Sequence, residues 1–289
     1  MSGKGTKVCR VTEYLRIPTE AGIFDAIAAG PEDGRNVLFL HGFPEAGVAW
    51  TDQVDALGAA GFRAVAPDQR GYSPDVRPED VRDYQIADLT GDVLAIADSL
   101  GWRTFDLVGH DWGATIGWLV AAEHPDRVRT LTAVSMPHPS PFGEALREDE
   151  DQVMRAQHLQ LYRSSTGTAE KRLLADDAAG LRLAFDRRIP PSRLDDYLTR
   201  LREPGALTAA LNWYRATPLV RLEAGKITVP TMYVWSTEDI TVGSTAALAT
   251  EAWVSARYRF EMLEDISHWI PEEEPEVLTA LLLDHLRHG

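Results

Sequence analysis

The chain has one cysteine in 289 residues, Cys9, so it can build neither a disulfide framework nor a CxxC metal site. A lone thiol fits a reducing compartment. Basic residues are also scarce: 29 Lys and Arg stand against 44 Asp and Glu, a net charge of −15. A surface of that sign repels nucleic-acid phosphates and anionic headgroups, which excludes nucleic acid and membrane as expected partners. No run reaches the ~18 consecutive apolar residues of a membrane span, and "MSGKGTKVCR" lacks the apolar stretch of a signal peptide. The expectation is a soluble, cytoplasmic protein. "GKGTK" has the wrong spacing for a phosphate-binding loop and follows no strand. Internal repeats and low-complexity tracts are missing too. What the chain does have is 44% hydrophobic content, enough at this length for a sizeable core.

Those apolar residues have a rhythm. "NVLFL" (36–40), "FRAVAP" (62–67), "TFDLVGH" (104–110) and "RVRTLTAVS" (127–135) are short, turn-bounded runs of the buried-strand type. Between them "WTDQVDALGAAG" and "YQIADLTGDVLAIADSLG" repeat apolar residues at i, i+3 and i+4 and close on glycine, as helices do. "WGATIGWLVAAEHP" reads as a helix ended by Pro125. Strands alternating with helices predict an α/β fold whose parallel sheet is covered on both faces.

The rhythm breaks at "MPHPSPFG". From Pro139 to Thr217 the chain is charged and reads as helical, through "DQVMRAQHLQLYR", "DDYLTRLR" and "ALTAALNWYR". Strand patterns resume in "TVPTMYVWS" (228–236) and "YRFEMLE" (258–264), followed by a last helix near 273–285. "EEEPE" (272–276) reads as the acidic first turn of that helix, favourable against its dipole. A break this long exceeds an ordinary connection. The expected organisation is a core of residues 1–138 and 218–289 with residues 139–217 inserted as a helical cap, a lid that excludes water.

"VGHDWGATIGW" (108–118) has the outline of a nucleophile elbow, with glycines at 109 and 113 and Asp111 at the apex. Aspartate is also a preferred N-cap, which is the plain alternative. Two later residues favour chemistry. Asp239, in "YVWSTEDITVG", lies just past a strand, with Glu238 as its rival for the role of acid. His268, in "EDISHWIPEE", follows the last strand and suits the base better than the other seven histidines. The order nucleophile, acid, histidine is the one such a fold requires. "LFLHGFPEAGVAW" (38–50) runs from a strand into a tight loop whose Phe43 N–H could face an oxyanion, with the Trp112 N–H as second donor.

With these residues in view, the chain resembles the α/β-hydrolase superfamily, and within it the soluble epoxide hydrolases and their relatives the haloalkane and fluoroacetate dehalogenases. The resemblance covers nearly the whole chain. "HGFPE", "APDQRGYS" (66–73), "GHDWGA", "LNWYR" (211–215) and the late acid and histidine carry it. It implies an α/β-hydrolase fold: a mostly parallel eight-stranded sheet flanked by helices, with an inserted helical cap. It implies no cofactor and no metal, a small-molecule substrate as partner, and is compatible with a homodimer.

An aspartate at the elbow suits an electrophile at sp3 carbon. The carboxylate displaces a leaving group and becomes an ester, which a water activated by His268 and Asp239 then hydrolyses. Opening an epoxide also needs a proton donor for the alkoxide, and epoxide hydrolases supply cap tyrosines. Tyr214 in "LNWYR" matches one of these, against the alternative of a merely packed aromatic. The second departs from the pattern: Leu159 stands where the family usually has tyrosine, leaving Tyr162 or His158 as replacements. The expected function is epoxide hydrolysis to a vicinal diol. The alternative is dehalogenation by the same Asp-His-Asp chemistry, favoured by His158, which resembles a halide-binding histidine. Against it, Phe43 replaces the asparagine of many haloalkane dehalogenases, and Trp112 and Thr115 occupy the positions of the carboxylate-clamping arginines. A third reading, a small-molecule binder without turnover, conflicts with an intact nucleophile, acid and base.

Overall fold

The computed structural model describes residues 12–185 and 188–288; Cys9 and the "GKGTK" segment lie outside them. Eight strands form one sheet: β1 (Glu13–Thr19), β2 (Gly22–Ala29), β3 (Arg35–Leu40), β4 (Phe62–Pro67), β5 (Phe105–His110), β6 (Val128–Val134), β7 (Thr231–Ser236) and β8 (Tyr258–Leu263). Their order is β1-β2-β4-β3-β5-β6-β7-β8. Contacts from β4 onward are parallel, and only those of β2 with β1 and β4 are antiparallel. The sheet is therefore the mostly parallel, eight-stranded one expected.

The parallel strands read as unbroken apolar runs because both faces are covered. In β3, Leu38 and Leu40 join one core cluster while Val37 and Phe39 join the other. In β7, Tyr233 and Trp235 face the first and Met232 and Val234 the second. Helices α2 (Ile86–Ser99) and α3 (Trp112–Glu123) pack on the first face. Helix α1 (Thr51–Ala59) and the last helix cover the second through Val54, Leu57, Leu278 and Leu282.

Between β6 and β7 the described residues form helices and no strand of the sheet: α4 (Pro139–Glu148), α5 (Glu150–Arg155), α6 (His158–Tyr162), α7 (Thr168–Ala184), α8 (Pro191–Leu201) and α9 (Ala206–Ala216). Salt bridges bind this segment to the sheet's loops: Arg200 to Asp68 at 2.7 Å and Glu203 to Arg77 at 3.2 Å. After β7 come α10 (Ser244–Ala249), α11 (Ile270–Glu273) and α12 (Pro275–His288). No helix among the described residues is long and apolar enough to cross a membrane.

The structure differs from the sequence reading in three places. The hairpin β1–β2 left no pattern to read, because β1 lies at the sheet edge and buries only Ile17. "DQVMRAQHLQLYR" is broken into α5 and α6 rather than forming one helix. "EEEPE" is not one helix turn: Glu272 and Glu273 end α11, and Glu272 is buried.

Candidate active site

The site grows from the turn between β5 and α3. Asp111 has φ +51° and ψ −121°, a region non-glycine residues occupy at a cost of about 1–3 kcal/mol, and such strain gathers at functional sites. Its neighbours make the sharp turn feasible. A Cβ on Gly109 would sit 2.2 Å from the Gly113 carbonyl oxygen, and one on Gly113 would sit 2.1 Å from that of Leu40. The backbone is pinned as well: Asp111 N–H donates to Val134 O at 3.2 Å, and Asp111 O accepts from Thr115 N–H at 3.0 Å. The result is a carboxylate pushed out at the C-terminal end of the sheet, where ligands of α/β sheets bind. Asp111 makes no side-chain cap to α3, so the simple N-cap reading fails.

The loop after β3 meets it. Phe43 N–H donates to Asp111 Oδ1 at 2.9 Å. Gly42 comes so near that a Cβ there would lie 2.4 Å from Asp111 Cβ. Trp112, the other expected donor, is the first residue of α3.

His268 approaches the other carboxylate oxygen, its Nε2 3.5 Å from Asp111 Oδ2. Its Nδ1–H donates to Asp239 Oδ2 at 2.9 Å. Asp239 is fully buried, and its Oδ1 accepts from Thr241 N–H at 2.7 Å and Val242 N–H at 2.9 Å. Its neighbour and rival Glu238 is exposed. Burial pushes the His268 imidazole down, but the Asp239 and Asp111 carboxylates outweigh it and hold the ring well above its ordinary value. For Asp111 burial works upward, while the His268 hydrogen bond and charge and the Phe43 N–H keep it below the usual carboxylate value. The His268 imidazolium thus lies between the Asp111 and Asp239 carboxylates.

Above this group lie two adjoining cavities. One, of about 510 Å³, is lined by Asp111, His268, Phe43, Tyr162, Tyr214 and His158. The other, of about 330 Å³, is mostly apolar and shares Asp111, Tyr214 and His158 with the first, with Leu159 in its wall. Tyr162 and Tyr214 pack at 5.1 Å between ring centroids, and each rests on Phe43, at 5.0 and 5.3 Å. Burial and the Asp111 charge push the Tyr162 phenol up to about 12 and raise that of Tyr214 too. Both stay protonated at neutral pH. His158 turns its Nδ1 to the Arg155 carbonyl at 2.9 Å, and burial lowers its pKa. The sequence-derived candidates therefore border one or other of these adjoining cavities, except Asp239, which lies buried behind His268.

The sequence reading missed a layer behind them. His110 Nε2 contacts the His268 carbonyl oxygen at 2.8 Å, and its Nδ1 contacts Glu45 Oε2 at 3.0 Å. The same Glu45 oxygen accepts from Gly42 N–H at 2.8 Å, tying the HGFPE loop to the base. Burial pushes the Glu45 carboxyl up, but His110 and the Gly42 N–H hold it below its ordinary value. Glu272 is the reverse: burial and the Glu45 charge raise it well above the ordinary value, so it keeps its proton, and Tyr197 donates to it at 2.7 Å. Glu45 sat inside a quoted motif, which was the available signal; Glu272 in an acidic run gave none. Among the described residues no cluster of His, Cys, Asp or Glu is arranged to hold a metal.

The fold matches that of known proteins. The sequence profile described as the alpha/beta hydrolase fold matches residues 35–275. The chain belongs to the alpha/beta hydrolase family. The hydrolase is 31% identical over 273 residues to the AB hydrolase superfamily protein YfhM of Bacillus subtilis, covering 90% of this chain and 93% of that one. It is 30% identical to Epoxide hydrolase A of Mycobacterium tuberculosis, covering 95% of this chain and 97% of that protein. Among solved structures, a Bacillus megaterium epoxide hydrolase in complex with an inhibitor superposes with a TM-score of 0.85 at 27% identity. That match covers 95% of the hydrolase and 100% of the bacterial chain.

Proposed function

We propose that this hydrolase opens an epoxide to a vicinal diol through an ester on Asp111. The observation that carries the reading is the pair of protonated phenols, Tyr162 and Tyr214, lining the same cavity as an ionised Asp111. A carboxylate alone can attack any alkyl electrophile; a carboxylate beneath two proton donors suits one whose leaving oxygen stays on the substrate. Relatives and similar structures that bear the name epoxide hydrolase support the same reading.

In this mechanism an Asp111 oxygen bonds to one ring carbon and that carbon's bond to the epoxide oxygen breaks. The departing alkoxide takes a proton from Tyr214 or Tyr162. The proton that His268 carries at rest then passes through solvent to the tyrosinate, and the neutral imidazole, oriented by Asp239, takes one proton from a water that attacks the ester carbonyl. The N–H groups of Phe43 and Trp112 hold the oxyanion. Collapse releases the diol, whose new hydroxyl takes the water's other proton, and regenerates Asp111 with one oxygen from water beside the His268 cation. Every step uses the chain's own groups and water. Residues 139–217 act as the lid that closes over this chemistry, since they supply both tyrosines and His158.

His158 is what a dehalogenase would use to bind a halide. Burial lowers its pKa, so at neutral pH it brings no positive charge to a leaving anion. The epoxide reading is therefore preferred. The charge of −15 and the single cysteine support a cytoplasmic enzyme acting on small molecules.

The test is a single turnover in 18O-water with a panel of epoxides, fluoroacetate and haloalkanes. The first product should carry unlabelled oxygen from Asp111, and epoxides should be the substrates turned over. Label in the first diol would show direct water attack and overturn the ester route.

A further inference from the structure

Helix α5 is short, and its one buried side chain is polar. Gln152 is fully enclosed, where an amide is costly unless both ends are hydrogen-bonded. Both ends are satisfied by the loop that carries Asp239: Gln152 Nε2 donates to Thr241 O at 2.8 Å, and Oε1 accepts from Gly243 N–H at 2.9 Å. Arg155, at the end of the same helix, donates from Nη1 to the carbonyl of Asp239 itself.

Several of the loop's other polar groups close within the segment that follows β7. Asp239 Oδ1 takes the Thr241 and Val242 N–H groups, and Trp235 Nε1 donates to Val242 O at 3.2 Å. Three backbone groups of the loop, Asp239 O, Thr241 O and Gly243 N–H, thus depend on α5. Asp239 Oδ2 turns to His268, and Glu238 N–H donates to Ile266 O at 3.1 Å. Gly243 allows the close seating, since a Cβ there would lie 2.8 Å from Asp151 Oδ2.

We infer that Gln152 and Arg155 are positioning residues: they clamp the Asp239 loop from the helical segment, so that Asp239 aims His268 for ester hydrolysis only while α5 is seated. The inference rests on the proposed roles of Asp239 and His268. It makes the helical segment more than a cover, because the second chemical step then depends on a helix that touches neither His268 nor the ester.

The clamp predicts a split between the two steps. Alkylation needs Asp111 and a tyrosine, whereas hydrolysis needs an aimed His268. Gln152→Met keeps length and bulk but removes donor and acceptor; Arg155→Met removes the donor to Asp239, and Arg155→Lys restores one. Ester formation and decay are followed separately by rapid quench and intact-protein mass, normalised to the fraction of protein that alkylates. A small misplacement of a catalytic group costs up to about 10²-fold. In both Met variants the ester should decay about 10- to 10²-fold more slowly and accumulate, with its formation within about twofold of wild type, and Arg155→Lys should recover most of the loss. A purely structural clamp would lower the melting temperature while leaving both normalised rates unchanged or reducing them together, and either result overturns the inference. Asp239→Asn run alongside separates the failures. If it stalls at the ester while the Met variants hydrolyse normally, the clamp falls alone; if it too hydrolyses normally, the assignment of Asp239 falls and takes the clamp with it.

Discussion

His268 Nε2 stands 3.5 Å from Asp111 Oδ2, so the proposed base of the second step is the ionic partner of the proposed nucleophile of the first. Burial would strip the imidazole of its proton, and it is the carboxylates of Asp239 and Asp111 that keep it charged. Esterification removes one of the two. The Asp111 charge vanishes, the pKa of His268 drops, and the imidazole gives its proton to the tyrosinate and becomes a base at the moment one is required. The nucleophile is in this sense the switch for its own release.

This gives the two steps different pH limits. Alkylation needs Asp111 ionised, and its pKa is held below the ordinary value, so alkylation persists into acid and fails only as pH falls through that low value. Hydrolysis needs His268 neutral in the ester, and it fails at higher pH, as pH falls through the imidazole value that Asp239 alone sustains. In the window between, the covalent ester should build up. Single-turnover rates measured across pH check this; two acid limbs that coincide would contradict it.

Replacing His268 with phenylalanine should leave alkylation running and stop the turnover that follows. General-base catalysis is worth roughly 10²–10⁴-fold, and ester decay should slow by that order. Intact mass should show protein plus substrate persisting for many wild-type turnover times. Normal turnover would remove His268 from the mechanism.

The two phenols should back each other up. Tyr214→Phe and Tyr162→Phe should each slow epoxide opening, and the double variant should lose about 10²–10⁴-fold, the usual worth of a positioned acid. Ester decay, measured separately, should change little. Because both phenols are raised, Tyr162 to about 12, the opening step should show no alkaline limb below about pH 9. If the double variant opens epoxides at the wild-type rate, neither is the acid.

Glu272 should make the fold weaker as pH rises. Its folded pKa is raised above the ordinary 4.5, so the folded state holds a proton that the unfolded chain releases. The stability it contributes is complete below about 4.5 and is lost as pH climbs towards the folded value, by up to about 1.4 kcal/mol per pH unit. The charges it meets are Glu45 and Arg193, with Tyr197 donating to it. Glu272→Gln can still donate to Glu45 and accept from Tyr197 without any proton to lose. Its advantage over wild type should grow between about pH 5 and pH 8 in urea midpoints. Parallel curves would mean that Glu272 is ionised in the folded state.

The parts of this molecule legible in sequence are those whose signal is local. Gly109 and Gly113 flank Asp111 within five residues, and the turn they permit can be read without any partner. Asp239 and His268 announce themselves by following strands. The strand runs themselves were plain because both faces of β3 and β7 are buried. Edge strand β1 lacks that signature and was silent. Gln152 and Glu272 were invisible for a different reason: polar residues in charged stretches read as solvated, and only the arrival of remote elements buries them. The tyrosines fell between these cases. Tyr214 was readable through its motif, while the setting of Tyr162 depends on the break between α5 and α6.

The contact between His110 and the His268 carbonyl closes a chain loop of 158 residues. A ribosome therefore finishes β3, β5 and the strained turn long before it delivers the base. During that interval the nucleophile has no counter-ion, and the helices of residues 139–217 emerge with no completed sheet to rest on. Parallel pairing across such distances is slow, and half-made sheets offer open edges. In refolding, helical signal should return first and catalytic competence last, after a lag set by the docking of β7 and β8. The edge left at β6 in that interval is where aggregation would start, and a chaperone that shields it would raise yield without touching the finished enzyme.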